Sequence, residues 1–393
     1  MTRNYRTVQF GLIGFFCLAL IGIPAISFAA EVTLVPSIGL YTDYEDNIDF
    51  TSDSSDADDD FAVGAVPGAT LDYRTERLRL TSEGQIDFKR YLNDTDYDRT
   101  NYLSRIETEY QAFSRWTLFG DYQFRRDETT DSEFEETGRV FRRTRENRHN
   151  ARGGIQFNLT ELTDIGAFAL YRRSDYSSKD DDDYYRYTFE LPFTKRFQNQ
   201  RDTLRLTPAY SKYKSDNNEK ADDYRFTVGW EHLISETLTF ELTVGPRYTT
   251  VEDKNGNDNS RFGGVGAIGL TKEGETFRGI IRYSHYLRPS TQGEILNVDR
   301  LSVFFDKRIT ERFGSRFRGN GYYSNRENND EPNDKVFSFE LIPALYYMLT
   351  ENHYVELSYN YRNRRETDEP GNPTAQRNLV ALEFVFRFPK KWD

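Results

Sequence analysis

Residues 78–92 read LRLTSEGQIDFKRYL, and their polarity changes at every second residue. Leu78, Leu80, Ile86 and Phe88 share one parity, while Arg79, Thr81, Glu83, Gln85, Asp87 and Lys89 share the other. A period of two is the mark of a strand, because successive side chains point to opposite faces of a sheet. At about 3.4 Å per residue the segment spans roughly 40 Å, far longer than an ordinary strand. One face is apolar and the other is charged from end to end, so the two faces must meet different surroundings.

Composition sharpens the question. Hydrophobic residues are 37% and charged residues 30%, with a mean hydropathy of −0.79. Those values alone describe a hydrophilic or partly disordered chain. Yet 30 Phe and 27 Tyr are present, and disordered chains are poor in aromatics. The fold must bury aromatic rings while using few apolar residues.

The first residues indicate export. Arg3 and Arg6 form a positive region, Phe10 to Ile23 an apolar run, and Pro24 a break. Ser27-Phe28-Ala29 then supplies the small residues a signal peptidase reads, which places cleavage between Ala29 and Ala30. The apolar run is shorter than the roughly 20 residues of a spanning helix. The expected organisation is a signal peptide over residues 1–29 and a single barrel domain over 30–393. Cys17, the only cysteine, falls in the signal segment, so the mature chain has no disulfide, no cysteine-based metal site and no c-type haem attachment. Loss of Arg3 and Arg6 lowers the basic residues from 52 to 50 against 64 acids, a net charge of −14. That balance argues against nucleic acid as a partner.

Beyond Ala30 no apolar run reaches 18 residues, so no helix is expected to cross a bilayer. The alternating pattern recurs instead, from Val32–Tyr44 and Phe61–Tyr73 through to Asn378–Phe388. The total is about eighteen strands, an even number as in bacterial outer-membrane barrels. Connections alternate between two kinds. Short ones reuse a Ser/Thr-Glu formula, as at Thr160-Glu161, Ser235-Glu236, Thr310-Glu311 and Thr350-Glu351. Long ones are very polar, as at Glu45–Asp60, Asp127–Arg145, Asp175–Asp183, Ser215–Asp222 and Thr249–Ser260. Short turns on one rim and long loops on the other is the asymmetry of a transmembrane up-and-down β-barrel, short side to the periplasm. The expected fold class is therefore all-β, an antiparallel barrel of about eighteen strands. Closure satisfies every strand edge within hydrocarbon. It also lets half of each strand be hydrophilic, which accounts for the low hydropathy. Tyr44, Tyr91, Tyr97, Tyr122, Tyr176, Tyr184, Tyr213, Tyr224, Tyr248, Tyr323 and Tyr361 stand at junctions into the long loops and are expected to form an interfacial girdle. Near the end of the chain Val380, Leu382, Phe384, Phe386 and Phe388 give one apolar face, followed by five residues to Asp393. That aromatic-rich last strand resembles the signal read by outer-membrane assembly machinery.

The stretch VPSIGLYTDYEDNI, residues 35–48, resembles the opening strand of the β-barrel porin type 2 family. Pro36, Ser37, Ile38, Tyr41, Asp46 and Asn47 carry the match. The resemblance implies an outer-membrane barrel linked to exopolysaccharide secretion or exosortase-type surface systems. The implied partners are outer-membrane lipid and lipopolysaccharide, the assembly machinery, and polysaccharide export components.

No catalytic constellation stands out. His149, His232, His285 and His353 occur in no recognisable Ser or Asp pattern. Glu45–Asp60 holds eight acids and no base, but it lacks the Asp-x-Asp-x-Asp-Gly spacing of a calcium loop and reads as a solvated loop. No enzyme activity, cofactor or metal is expected. The candidate site is the inward parity of the strands: Arg79, Glu83, Arg105, Glu107, Arg125, Arg186, Glu190, Arg205, Arg225, Glu241, Arg282, Arg316 and Glu356. With both signs abundant, these residues would form cross-strand ladders and a lining of weak charge selectivity. The expected function is a porin-like channel serving polysaccharide export. The alternatives are a general diffusion porin and a non-conducting structural or adhesive barrel.

Overall fold

A computed structural model describes residues 30–53, 57–217, 219–252, 256, 258–326, 335–367 and 373–392. The signal segment expected at residues 1–29 lies outside the described residues. Eighteen antiparallel strands close on themselves. They are β1 (Glu31–Glu45), β2 (Asp60–Arg74), β3 (Leu78–Tyr91), β4 (Arg99–Phe113), β5 (Trp116–Glu128) and β6 (Arg145–Thr160). Next come β7 (Thr163–Tyr176), β8 (Tyr184–Glu190 continued by Phe193–Arg196), β9 (Asp202–Ser215), β10 (Lys220–Ser235), β11 (Leu238–Glu252) and β12 (Asp258–Glu273). The last are β13 (Phe277–Pro289), β14 (Ile295–Arg308), β15 (Phe313–Arg326), β16 (Lys335–Met348), β17 (His353–Glu366) and β18 (Thr374–Arg387, resumed by Lys390–Trp392). One helix, α1 (Thr129–Thr137), interrupts the connection from β5 to β6.

Each strand pairs with its neighbour in sequence, and β1 pairs with β18 to complete the circle, Ser37 opposite Arg387 and Glu45 opposite Leu379. The two breaks within strands fall at Pro192 and Pro389, where proline supplies no N–H to the ladder. Residues 389–392 are not a loose tail. Lys390, Lys391 and Trp392 resume pairing with β1 opposite Leu34, Thr33 and Val32, and Lys391 meets Glu31 at 2.8 Å.

The short turns use the hydroxyl formula. The Thr310 side chain accepts from the Phe313 N–H at 3.0 Å, that of Thr160 from Leu162 at 3.2 Å, and that of Thr350 from Asn352 at 3.2 Å. The register puts Leu78, Leu80, Ile86 and Phe88 on the outer face of β3 and Arg79, Glu83, Gln85, Asp87 and Lys89 on its inner face. All around the wall the outer face stays apolar and exposed, as at Leu40, Leu118, Val244, Ile281, Leu345 and Val380. With β1 paired to β18 the sheet has no free end strand, and its apolar exterior is what a barrel surrounded by a hydrocarbon phase would require.

The girdle is divided by parity. Tyr44, Tyr122, Tyr224, Tyr248, Tyr323 and Tyr361 point outward, but Tyr91, Tyr97, Tyr184 and Tyr213 are buried inside the barrel, with Tyr176 packed beside the last two. Their strands end in loops that fold inward, so the inner parity meets protein rather than solvent. The buried core consequently sits inside the barrel at the loop rim, in three clusters.

Candidate functional site: a helix across the lumen

The segment Thr129–Thr137, TTDSEFEET, is too polar to be a wall strand and turns back into the lumen as α1. Gly138 ends it in the left-handed conformation (φ +71°) that favours glycine at a helix C-terminus. The single aromatic ring of α1, Phe134, is fully buried. It packs among Phe50, Val140, Leu296, Val298, Tyr322 and Ala375, edge-on to Phe50 at 5.5 Å and to Tyr322 at 5.7 Å.

Carboxylates on α1 tie it to opposite parts of the wall. Asp131 meets Arg362 of β17 at 2.7 Å, Arg99 of β4 at 3.3 Å and Arg377 of β18 at 3.6 Å. Arg377 also reaches Glu45 at 2.6 Å, and Glu45 meets Lys89 at 2.7 Å, so the first turn of the helix joins a charge network across five strands. At the other end Glu136 pairs with Arg172 of β7, with Arg148 of β6 at 3.2 Å and with Arg288 of β13 at 4.0 Å. Tyr322 and Tyr286 donate to the carbonyls of Glu135 and Glu136 at 2.9 and 3.0 Å. Burial pushes both acids up, but the arginines outweigh it and hold Asp131 and Glu136 well below the usual carboxylate range. Glu133 is different. Burial pushes its carboxyl up to about 8, against the Thr291 N–H and hydroxyl that donate to it at 3.1 Å; nearby Glu146 adds to the rise and Arg139 opposes it.

The motif at residues 36–47 takes part in this closure. Asp46 accepts from the Asn378 side chain at 2.8 Å, and the Asn47 amide donates to the Thr51 and Gln376 carbonyls at 2.7 and 2.8 Å. That clip bends the chain so that Ile48 and Phe50 enter the lumen, Phe50 at a positive φ of 54°. The described parts of the acidic stretch, 45–53 and 57–60, are therefore anchored rather than freely solvated: Glu45 and Asp60 are buried, and Asp58 accepts from Tyr97 at 2.6 Å.

On the turn side of the barrel the lumen is hollow. A cavity of about 910 Å³ on the turn side is lined by Arg79, Arg105, Glu107, Glu109, Arg152, Glu190, Arg205 and Glu231, with Phe119 and Phe168 among them. Above it, between the loops, a second hollow of about 970 Å³ is lined by Asp49, Asp96, Asp98, Arg126, Arg142, Arg143 and Arg145. All thirteen residues picked from sequence sit on the inward parity, and several meet one another: Arg225 with Glu190 at 3.0 Å, Arg282 with Glu241 at 3.3 Å, Arg316 with Glu356 at 3.0 Å. Arg125 reaches Glu135 of α1 at 2.8 Å, and Arg186 donates to Ser211 at 3.3 Å. Glu83 stands on the inner face of β3 opposite Arg105 of β4. Sequence reasoning missed α1 and its arginine clamps. The available signals were Gly138 closing a run without alternation, and the inward arginines 99, 148, 172, 362 and 377 crowded at one rim.

The four histidines face outward. His149 lies against Tyr122, His232 and His285 against Asp202 and Asp299 at 2.8 and 2.9 Å, and His353 against Phe386. Among the described residues no group of three or more His, Cys, Asp and Glu side chains has the arrangement of a metal site.

Fold and site together define a closed antiparallel barrel with an apolar exterior, a charged lumen and an inserted helix. Among solved structures, OpdK of Pseudomonas aeruginosa, an outer membrane protein, aligns over 92% of this chain and 99% of its own at 9% identity and a TM-score of 0.48. OccK9 (OpdG) of the same organism aligns over 92% and 98% at 10% identity and 0.47. The outer membrane channel DcaP of Acinetobacter baumannii aligns over 92% and 98% at 14% identity and 0.44. These are likenesses of architecture, not of ligand. No protein-family model matches the chain, and no curated protein matches it in sequence.

Proposed function

We propose that this protein is a porin-like channel of the Gram-negative outer membrane, held shut at its loop rim, and that it serves export of a surface polysaccharide. The observation that carries the channel reading is the lumen: a charged cavity of about 910 Å³ on the turn side, with α1, a loop element rather than a strand, docked inside the barrel at the loop rim. An eighteen-stranded wall is wide enough to hold water, whereas small barrels are filled by their own side chains. A lining with both charge signs gives many replaceable contacts without one strong trap, which suits passage. The polysaccharide reading rests on the residues 36–47 that resemble the β-barrel porin type 2 family. In this reading residues 1–29 direct export and the last strand addresses the assembly machinery. The apolar belt meets lipid and lipopolysaccharide, and export components dock at the periplasmic rim.

Planar-bilayer recording of the purified protein tests conduction, with discrete current steps expected. A folded but silent barrel supports the structural or adhesive reading. Deletion of the gene tests cargo. Loss of extracellular polysaccharide is the expected result, while intact polysaccharide with slowed small-solute uptake leaves a general porin.

A further inference from the structure

The wall has a seam. β12 pairs with β11 along its whole length, out to Asp258 opposite Glu252. Its ladder with β13 stops at Gly266 opposite His285. β13 nevertheless continues to Pro289, paired with β14 out to Ile295. Residues 286–289 have therefore left β12, and the edge of β12 from Phe262 to Val265 has no strand partner on that side among the described residues.

The departed segment lies inside the barrel. Tyr286, Leu296 and Val298 pack with Phe134 of α1. Leu287 and Ile295, on the opposite parity, pack with Tyr184, Tyr213, Ala221 and Val251, which are the inward residues of β8 to β11. The β13–β14 tip is thus buried on both faces, between the helix and the inner wall. Tyr213 donates to the Gly293 carbonyl at 2.7 Å, and Arg247 of β11 donates to Asn297 at 3.2 Å. A Cβ on Gly263 would stand 3.0 Å from the Arg247 guanidinium, so this glycine lets the arginine lie across β12 toward the tip.

We propose that the β13–β14 tip is the moving part of the channel. At rest it occupies the lumen; on opening it withdraws and zips onto the free edge of β12. The inference rests on the channel reading and names how that same lumen is opened. The existing register fixes the open ladder: Val265 opposite Tyr286, Gly264 opposite Leu287, Gly263 opposite Arg288 and Phe262 opposite Pro289. Closing that ladder places Leu287, Pro289 and Ile295 on the lipid side, where apolar residues belong, and Arg288 on the water side. It also pairs backbone groups that hydrocarbon leaves costly when unpaired, beside Phe262, which at 75% is the most exposed large hydrophobic side chain among the described residues. The two positions exchange one set of satisfied contacts for another, which is what a two-state element requires.

Two cysteine pairs test this, since the chain from Glu31 onward contains no cysteine. A disulfide needs Cα atoms within about 7 Å. Phe262→Cys with Pro289→Cys reports the open ladder, and Ala221→Cys with Ile295→Cys reports the closed state. Each variant is first shown to migrate as a heat-modifiable barrel, and then oxidised in lipid vesicles and recorded in bilayers. Expected results are cross-links in both pairs, a conductance at least several-fold above wild type for the first, and silence for the second, each reversed by reductant. Absence of the Phe262→Cys to Pro289→Cys cross-link in a folded barrel overturns the proposal. So does wild-type conductance through the oxidised Ala221→Cys/Ile295→Cys protein. A cross-link at 262 and 289 with every variant silent upholds the strand switch and overturns the channel reading.

Discussion

The two halves of the lumen hold the same kinds of residue in opposite states. In the turn half Arg105 and Asp121 meet at 3.4 Å with side chains about half and one-third exposed. In the loop half Lys89 and Glu45 meet at 2.7 Å with both side chains only 1% exposed. Water separates the two cases. Exposed pairs contribute about 0–1 kcal/mol because solvent screens them and their side chains lose freedom on pairing. Buried pairs gain little overall, but removing one partner costs about 3–5 kcal/mol because the other charge is stranded. One half is a lining that can exchange its contacts with a solute. The other is a clasp.

The strongest way to break this contrast is to hollow the clasp. Phe134→Ala removes the one ring that α1 contributes to the inner cluster, a loss of about 3–5 kcal/mol in docking the helix. The expected outcome is a several-fold rise in bilayer conductance with the barrel still heat-modifiable; unchanged conductance would mean that α1 does not limit the path. Asp131→Asn comes next. It leaves Arg362, Arg377 and Arg99 short of their shared anion, at about 3–5 kcal/mol. Limited trypsin digestion reads this as faster cleavage at Arg139 and Arg142, with the wall left intact.

A smaller effect follows from pH. The Glu133 carboxyl, at about 8 when folded, stands above its ordinary 4.5. The folded state therefore holds its proton through the interval from 4.5 to 8 while the undocked state does not, so this residue makes docking weaker as pH rises through that window. Asp131 and Glu136 are shifted the other way, and their contribution is lost only in acid. Conductance is expected to rise from pH 5 to pH 8. In Glu133→Gln, which cannot ionise, that rise is expected to flatten, and a pH profile identical to wild type would reject the assignment. The smallest effect belongs to the turn half. Arg105→Gln is expected to change stability by about 0–1 kcal/mol and to shift the reversal potential in a salt gradient by a few millivolts toward cations. A melting loss as large as that of Asp131→Asn would erase the distinction between the halves.

Much of the wall was legible in the residues. Alternation at 78–92 assigns each side chain of β3 to its face, because a two-residue period leaves no freedom once one face must be apolar. The Thr-Glu turns and the polar loops set the two rims in the same way. The interior was not legible by that rule. TTDSEFEET has one apolar residue and no period, so nothing local says that Phe134 is the centre of a core. Tyr91 and Tyr224 both stand at loop junctions, yet one is buried and the other is 52% exposed. Parity separates them only once the inserted loops have turned the inner face from wet to dry.

Local periodicity by itself determined the strands, their facing and the closure of the sheet, since those follow from chain geometry and from what hydrocarbon accepts. The tertiary structure alone decided where the chain abandons its own pattern. Leu287 and Ile295 carry the parity of the outward-facing, exposed Ile281 and Leu301, and yet they end inside the barrel against Tyr213 and Val251. No local signal marks that reversal. Apolar surface is satisfied equally by an apolar phase outside and by aromatic rings within, and only the arrival of distant strands supplies the second choice.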